Sequence, residues 1–130
     1  MLDINISLKG SWKNRFVATS KINGKEEEVG CICISSANSL RERYRKFMHS
    51  CTLREITRIY VNSNYRGVGV GTTLMRAVVA AYGDSDLILT VVPLSSTGLN
   101  KEQLFRFYSK FGFERTDEFQ ETMIRKANNC

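Results

Sequence analysis

Residues 65–75 read Tyr-Arg-Gly-Val-Gly-Val-Gly-Thr-Thr-Leu-Met, and the fold turns on what this stretch is for. Gly67, Gly69 and Gly71 fall within five residues. Glycine gives up more conformational freedom on ordering than any other residue, so this density implies left-handed dihedrals or a close backbone approach. On its N-terminal side, Leu53–Val61 carries the branched and aromatic residues of a strand: Ile56, Ile59, Tyr60 and Val61. The apolar parity changes between Ile56 and Ile59, which predicts a bulge. On its C-terminal side, Leu74, Met75, Val78, Val79 and Tyr82 recur at helical spacing over 72–82, with Gly83 expected as a left-handed terminator. A strand, a glycine turn and a helix N-terminus together make an anion site. The first amides of the helix lack intrahelical acceptors, and the helix dipole adds positive charge.

Outward from this unit, Leu2, Ile4, Ile6 and Leu8 alternate as a half-buried strand. A second strand spans 15–20, Asn23-Gly24 is a strong hairpin signal, and the return strand spans 26–35. Period two puts Val29, Cys31 and Cys33 on one face of that strand and Ile32 and Ile34 on the other. Asn38 or Ser39 is a candidate cap for a helix over 39–51. Leu40, Tyr44, Phe47, Met48 and Cys51 face inward, and Arg41, Arg43, Arg45 and Lys46 form a basic outer arc. Residues 86–93 hold a nearly continuous apolar run that suits a strand buried on both faces, with Pro93 at its end. Asn100 and Gln103 make a capping box for a helix with Leu104, Phe107, Tyr108 and Phe111 inward and Gly112 as its stop. A last strand region covers 113–125. The order β-β-β-α-β-α-β-α-β predicts an α/β fold. Its mixed, mostly antiparallel sheet holds a central parallel β-α-β, right-handed by default, with helices on both faces.

The bulk numbers bound the function. At 130 residues the chain is expected to be a single domain, 1–130. The formal net charge is +6, and most of it lies early. Residues 1–60 hold eleven Lys/Arg against six Asp/Glu, and residues 61–130 hold eight against seven. Such a field suits an anionic cofactor, an acidic protein or nucleic acid without choosing among them. The four cysteines (31, 33, 51, 130) form no CxxC, and His49 is the single histidine, so no zinc spacing is available. Cys31 and Cys33 read as small core residues in a reducing, cytoplasmic setting. Cys51 beside His49 lacks a third group to orient it as a nucleophile. No 18-residue apolar run and no signal-peptide pattern is present.

Three loop designs compete for the glycines. A P-loop needs Lys-Ser/Thr after its last glycine, which is missing here. A dinucleotide fingerprint needs a glycine or alanine at its sixth position. Thr72 or Leu74 stands there, depending on the start. The third pattern, [Q/R]-x-x-G-x-[G/A], is met by Arg66, Gly69 and Gly71. With it the chain resembles the GNAT acyltransferase superfamily. A second match supports this: 104–114, Leu-Phe-Arg-Phe-Tyr-Ser-Lys-Phe-Gly-Phe-Glu, is similar to the family's "LYxKxGF" segment. The likeness covers about 54–115.

The resemblance implies an acetyl-CoA-dependent N-acetyltransferase that moves the acetyl group directly from thioester to amine through a tetrahedral intermediate. It implies that Arg66, Gly67, Val68, Gly69, Val70, Gly71 and Thr72 hold the coenzyme A pyrophosphate, with the glycines clearing room for it. Ile59 and Val61 would contact the pantetheine arm where the strand splays, and Tyr108 would be the general acid. Glu55, eleven residues before Arg66, matches a catalytic glutamate of some protein-acetylating members. Its alternative is a strand-edge carboxylate paired with Arg54 or Arg58. Asp84, Asp86, Glu102 and His49 are weaker acid–base candidates. No metal is implied.

The first fifty residues depart from the family, which places one or two helices between its first two strands, where only 10–14 intervene here. Those helices help to build the acceptor site, so the acceptor stays open: a small molecule or a protein bearing an amine, with homodimerisation allowed for. Two other classes compete. One is a cofactor-binding module acting through partner contacts. The other is a nucleic-acid binder using the basic arc 41–46, which no aromatic-plus-basic sheet motif supports.

Overall fold

Asn23 and Gly24 take positive φ, 52° and 81°, the dihedral signature of a two-residue primed turn. They join β2 (Arg15–Ile22) to β3 (Lys25–Ser36), with β1 (Asn5–Lys9) antiparallel on the other side of β2. This computed structural model describes residues 3–9, 14–50, 52–92, 99–116 and 121–128. The chain continues through α1 (Arg41–Tyr44), β4 (Leu53–Val61), α2 (Val70–Tyr82), β5 (Asp86–Thr90), α3 (Lys101–Ser109), β6 (Glu114–Arg115) and β7 (Thr122–Arg125). One seven-stranded sheet results, in the order β1-β2-β3-β4-β5-β7-β6. Every neighbouring pair is antiparallel except β4 and β5. The expected mixed sheet with one parallel β-α-β is therefore present. The 113–125 region is two short strands rather than one.

Two apolar clusters cover the two faces. On one, Leu74, Met75 and Val78 of α2 and Leu104, Phe105 and Tyr108 of α3 pack with Phe16, Ile32, Leu87, Leu89 and Met123. On the other, Tyr44 of α1 packs with Leu53, Ile88 and Ile124. Period two along β5 sends Ile88 one way and Leu87 and Leu89 the other, which explains the unbroken apolar run. Gly30 sits under α2. A Cβ there would lie 2.7 Å from the Tyr60 carbonyl oxygen and 2.9 Å from Val70 Cγ1. Since backbone cannot yield cheaply, Gly30→Ala is expected to lower stability by about 1–3 kcal/mol. The check is a denaturant midpoint that falls at unchanged slope.

Four local readings are corrected. Val29 does not share the Cys31 face. The register passes from Ala18↔Gly30 to Thr19↔Glu28, leaving Val29 as an extra residue that joins the α2-side core. Leu8, read as part of the inward face of its strand, is instead exposed, at 45%. Gly83 is not left-handed, with φ −63°; a Cβ there would lie 2.6 Å from Asn128 Nδ2 and 2.9 Å from the Val79 carbonyl oxygen. The helix expected over 39–51 shrinks to α1 between two single 3₁₀ turns, Asn38–Leu40 and Arg45–Phe47. Asn38 does not cap it; its side-chain oxygen accepts from the Leu53 amide at 3.1 Å instead. Further on, the chain turns extended at Met48, and the buried Asp86 carboxylate captures the next amides, His49 N at 3.0 Å and Ser50 N at 2.8 Å. Asp86 also accepts from Ala127 N at 2.7 Å, so it is a structural clamp and not an acid–base group. Cys51 lies outside the described residues, as do Leu2, Pro93 and Cys130.

Cys31 is buried, and burial pushes its thiol up, as expected of a core residue. Among the described residues no helix is long and apolar enough to cross a membrane, and no cluster of three or more metal-ligating side chains occurs.

Candidate active site

Everything at the site follows from where β4 and β5 part. Their parallel pairing covers only Leu53↔Asp86, Arg54↔Leu87 and Glu55↔Ile88. Beyond that, β4 stays with β3 as far as Val61, while β5 pairs with β7 through Thr90↔Thr122. The divergence begins beside the bulge. The β3–β4 register jumps from Ile34↔Ile56 to Cys33↔Arg58, leaving Thr57 as the extra residue. A bulge bends and twists its strand, so the parity change visible in the sequence is also the device that opens the sheet.

Two cavities lie side by side at this opening. The first, about 400 Å³, is lined by Ile59 and Val61 of β4, by Tyr65, Arg66, Gly67 and Gly69 of the loop, by Val70, Gly71 and Thr72 of α2, and by Leu99, Leu104, Phe107 and Tyr108. The second, about 310 Å³, is lined by Glu55, Ile56, Thr57, Arg58 and Ile59 of β4, by Leu89, Thr90 and Val92, and again by Tyr108. Ile59 and Tyr108 belong to both. The structure thus gathers Glu55, Tyr108 and the expected cofactor residues around two adjacent cavities, except Val68, which is 52% exposed and lines neither; the weaker candidates Asp84, Asp86, Glu102 and His49 also line neither.

The loop is built to leave donors available. Gly67 and Gly69 have φ of 80° and 92°, and a Cβ on either would meet nothing within 4 Å, so both face open space. Gly69 is the N-cap residue of α2 and no side chain caps the helix; its carbonyl accepts from Thr73 N at 3.0 Å. The amides of the first turn, Val70 to Thr72, therefore remain for an outside acceptor. The helix begins two residues earlier than its apolar pattern suggests, because Val70 is buried beneath it. At Gly71 a Cβ would lie 3.4 Å from Phe107 Cζ and 3.8 Å from Val61 Cγ2, ordinary contact distances with two residues of the cavity wall. These features fit a phosphate-bearing cofactor: uncapped amides, the dipole of a 13-residue helix, Arg66 in the lining and open space above two glycines.

Tyr108 is placed by α3, whose capping box is complete: Asn100 Oδ1 accepts from Gln103 N, and Gln103 Oε1 accepts from Asn100 N, both at 2.9 Å. Its ring packs edge-on against Phe107 at 5.3 Å and Phe113 at 6.1 Å. Burial pushes its phenol up to about 12, so it keeps its proton throughout the neutral range. Glu55 pairs with neither arginine beside it. Arg54 lies over the Tyr82 ring, 4.4 Å from its centroid, and the Glu55 carboxylate has no ion pair or hydrogen bond among the described residues. Sequence reasoning missed Tyr65, Leu99 and Phe107 as wall residues. Phe107 was visible only as helical stripe, and nothing local marks Leu99.

Residues 12–115 match the model of the acetyltransferase (GNAT) domain. The chain belongs to the GNAT acetyltransferase family. It is accordingly an acyl-CoA-dependent N-acetyltransferase, with acetyl-CoA as its cofactor. No curated protein matches the sequence. Among solved structures, Arabidopsis thaliana Naa50 in complex with the bisubstrate analogue CoA-Ac-MVNAL is 24% identical at a TM-score of 0.56, covering 85% of this chain and 69% of that one. Arabidopsis thaliana NAA60, also in complex with a bisubstrate analogue, is 13% identical at 0.66, covering 90% and 78%. Ard1 from Thermoplasma volcanium is 21% identical at 0.55, covering 88% and 69%. At these identities the likeness is one of fold.

Proposed function

We propose that the protein acetylates an amine held in the Glu55–Arg58 cleft, drawing the acetyl group from a donor seated over the glycine loop. The observation that carries this reading is the shared wall. Tyr108 and Ile59 line both cavities, so a thioester bound along β4 and an amine in the cleft would meet beside the phenol. Acetyl-CoA supplies an acyl group already activated as a thioester.

The chain's own residues would divide the remaining work. The Val70–Thr72 amides and Arg66 would hold the pyrophosphate. Ile59 and Val61 lie on the stretch of β4 that β5 no longer pairs, which leaves backbone groups for the amide-bearing arm and for the developing oxyanion. The Glu55 carboxylate would take the proton from the attacking amine, directly or through one water. The Tyr108 hydroxyl would give a proton to the departing sulfur, a role that its raised pKa keeps available. Leu89, Val92 and Ile56 would limit water at the junction.

Glu55→Gln tests the acid–base assignment. It removes the acceptor of the proton while keeping size and polarity. Acetyl transfer is expected to fall roughly 10- to 100-fold, the effect being softened by water acting as base. Thermal stabilisation by acetyl-CoA should persist, because Glu55 does not line the loop cavity. Unchanged transfer in Glu55→Gln removes Glu55 from the mechanism.

A further inference from the structure

We propose that the acceptor is a small amine that also carries an anionic group, and that Arg58 receives the anion. This rests on the cleft being the acceptor site. Glu55 and Arg58 both line it, three residues apart on β4. Neither side chain has an ion pair or a hydrogen bond among the described residues. The extra residue Thr57 puts both side chains on one face of β4, yet they do not pair, and both stay available in one cavity, between apolar walls of Ile56, Leu89 and Val92.

The neighbouring cations are accounted for. Arg15 shares a cross-strand row with Arg58 through Cys33, but Glu28 holds it with two contacts of 3.1 Å. Arg54 is engaged over Tyr82. Arg58 is left with an aromatic partner: its guanidinium carbon lies 5.8 Å from the Tyr60 ring centroid. An arginine stacked on a ring keeps its edge N–H groups for a planar or tetrahedral oxyanion. The cleft therefore offers a carboxylate for an ammonium and a guanidinium for an anion. At roughly 3.3 Å per strand residue, less the bulge, the two ligand charges would lie within about 10 Å of each other. A cavity of about 310 Å³ suits a small molecule of that span. A carboxylate and a phosphate would satisfy Arg58 by the same chemistry.

The test is a set of matched acceptors assayed with the intact protein and acetyl-CoA: ω-amino carboxylates, ω-aminoalkyl phosphates and the corresponding neutral ω-amino amides, each with three to six methylenes. One anionic series is expected to exceed its amides in kcat/KM by roughly ten-fold or more, the scale of one charge-assisted hydrogen bond. Which series does so identifies the anion. Arg58→Gln should bring the ratio of anionic to neutral acceptor toward one, and Arg58→Lys should keep part of it. Equal kcat/KM for anionic and neutral acceptors, or a loss in Arg58→Gln that is the same for all three series, overturns the proposal. A wild-type protein that turns over the thioester but shows no anionic preference overturns this inference alone. Absence of thioester turnover overturns the reading of the cleft as well.

Discussion

Tyr108→Phe is expected to lower acetyl transfer by roughly 10²- to 10³-fold, within the usual range for a positioned general acid, while acetyl-CoA still raises the melting temperature. The separation of the two effects follows from the packing. The ring is 5% exposed and held edge-on by Phe107 and Phe113, contacts that phenylalanine keeps. The hydroxyl has no hydrogen-bond partner among the described residues, so its removal leaves no protein group unsatisfied. The same variant carries a pH signature. The phenol is raised from 10 to about 12 because burial disfavours the phenolate. Below pH 10 both folded and unfolded chains hold this proton, and its contribution to stability is fully present. As pH rises from 10 to about 12 the unfolded chain ionises first and stability is lost. Denaturant titrations from pH 9 to pH 12 should therefore show a steeper decline for wild type than for Tyr108→Phe. Parallel curves would mean that the phenol is not buried in solution. Full activity in Tyr108→Phe would remove it as the acid.

The second large effect is on binding. Gly69→Glu is expected to weaken acetyl-CoA affinity by about 100-fold or more, the loss of two or so charge-assisted contacts. At φ 92° any L side chain is strained, and with nothing within 4 Å it must project into the open side of the loop, over the Val70–Thr72 amides. A carboxylate there competes with a phosphate for those donors and repels it. Gly24→Glu is the matching control. Gly24 also has positive φ, 81°, with open space around it, but it lies in the β2–β3 turn. It should show a comparable stability loss and keep its affinity for acetyl-CoA. Equal weakening in both variants would mean that strain and not the loop's donors sets the affinity.

Much of this was legible in the sequence because the signals were local. Asn23-Gly24 can form one kind of turn easily, and it did. Asn100 with Gln103 is a self-contained cap. The change of parity between Ile56 and Ile59 marked the bulge, since a bulge is the usual way for a strand to exchange its faces. What escaped depended on distant partners. The 39–51 helix has a sound apolar stripe, yet the Asp86 carboxylate, 37 residues beyond His49, pulls its last turn apart. Gly83 looked like a left-handed terminator because glycine commonly is one; its φ of −63° is right-handed, and its carbonyl instead accepts from Asn128 N, far along the chain, at 2.8 Å. At the site, the loop and Tyr108 were readable as motifs. That Glu55 and Arg58 share a cleft without pairing was not, because it depends on Arg54 facing Tyr82 and on Arg15 being occupied by Glu28.

The central claim is that the glycine loop and Tyr108 border one continuous site. Fluorine NMR of protein labelled with 3-fluorotyrosine, its Tyr108 signal assigned by loss in Tyr108→Phe, tests this most directly. Titration with acetyl-CoA should shift the Tyr108 resonance in wild type and leave it unmoved in Gly69→Glu at the same concentrations. A saturating titration of wild type that binds acetyl-CoA without moving that resonance would contradict the account.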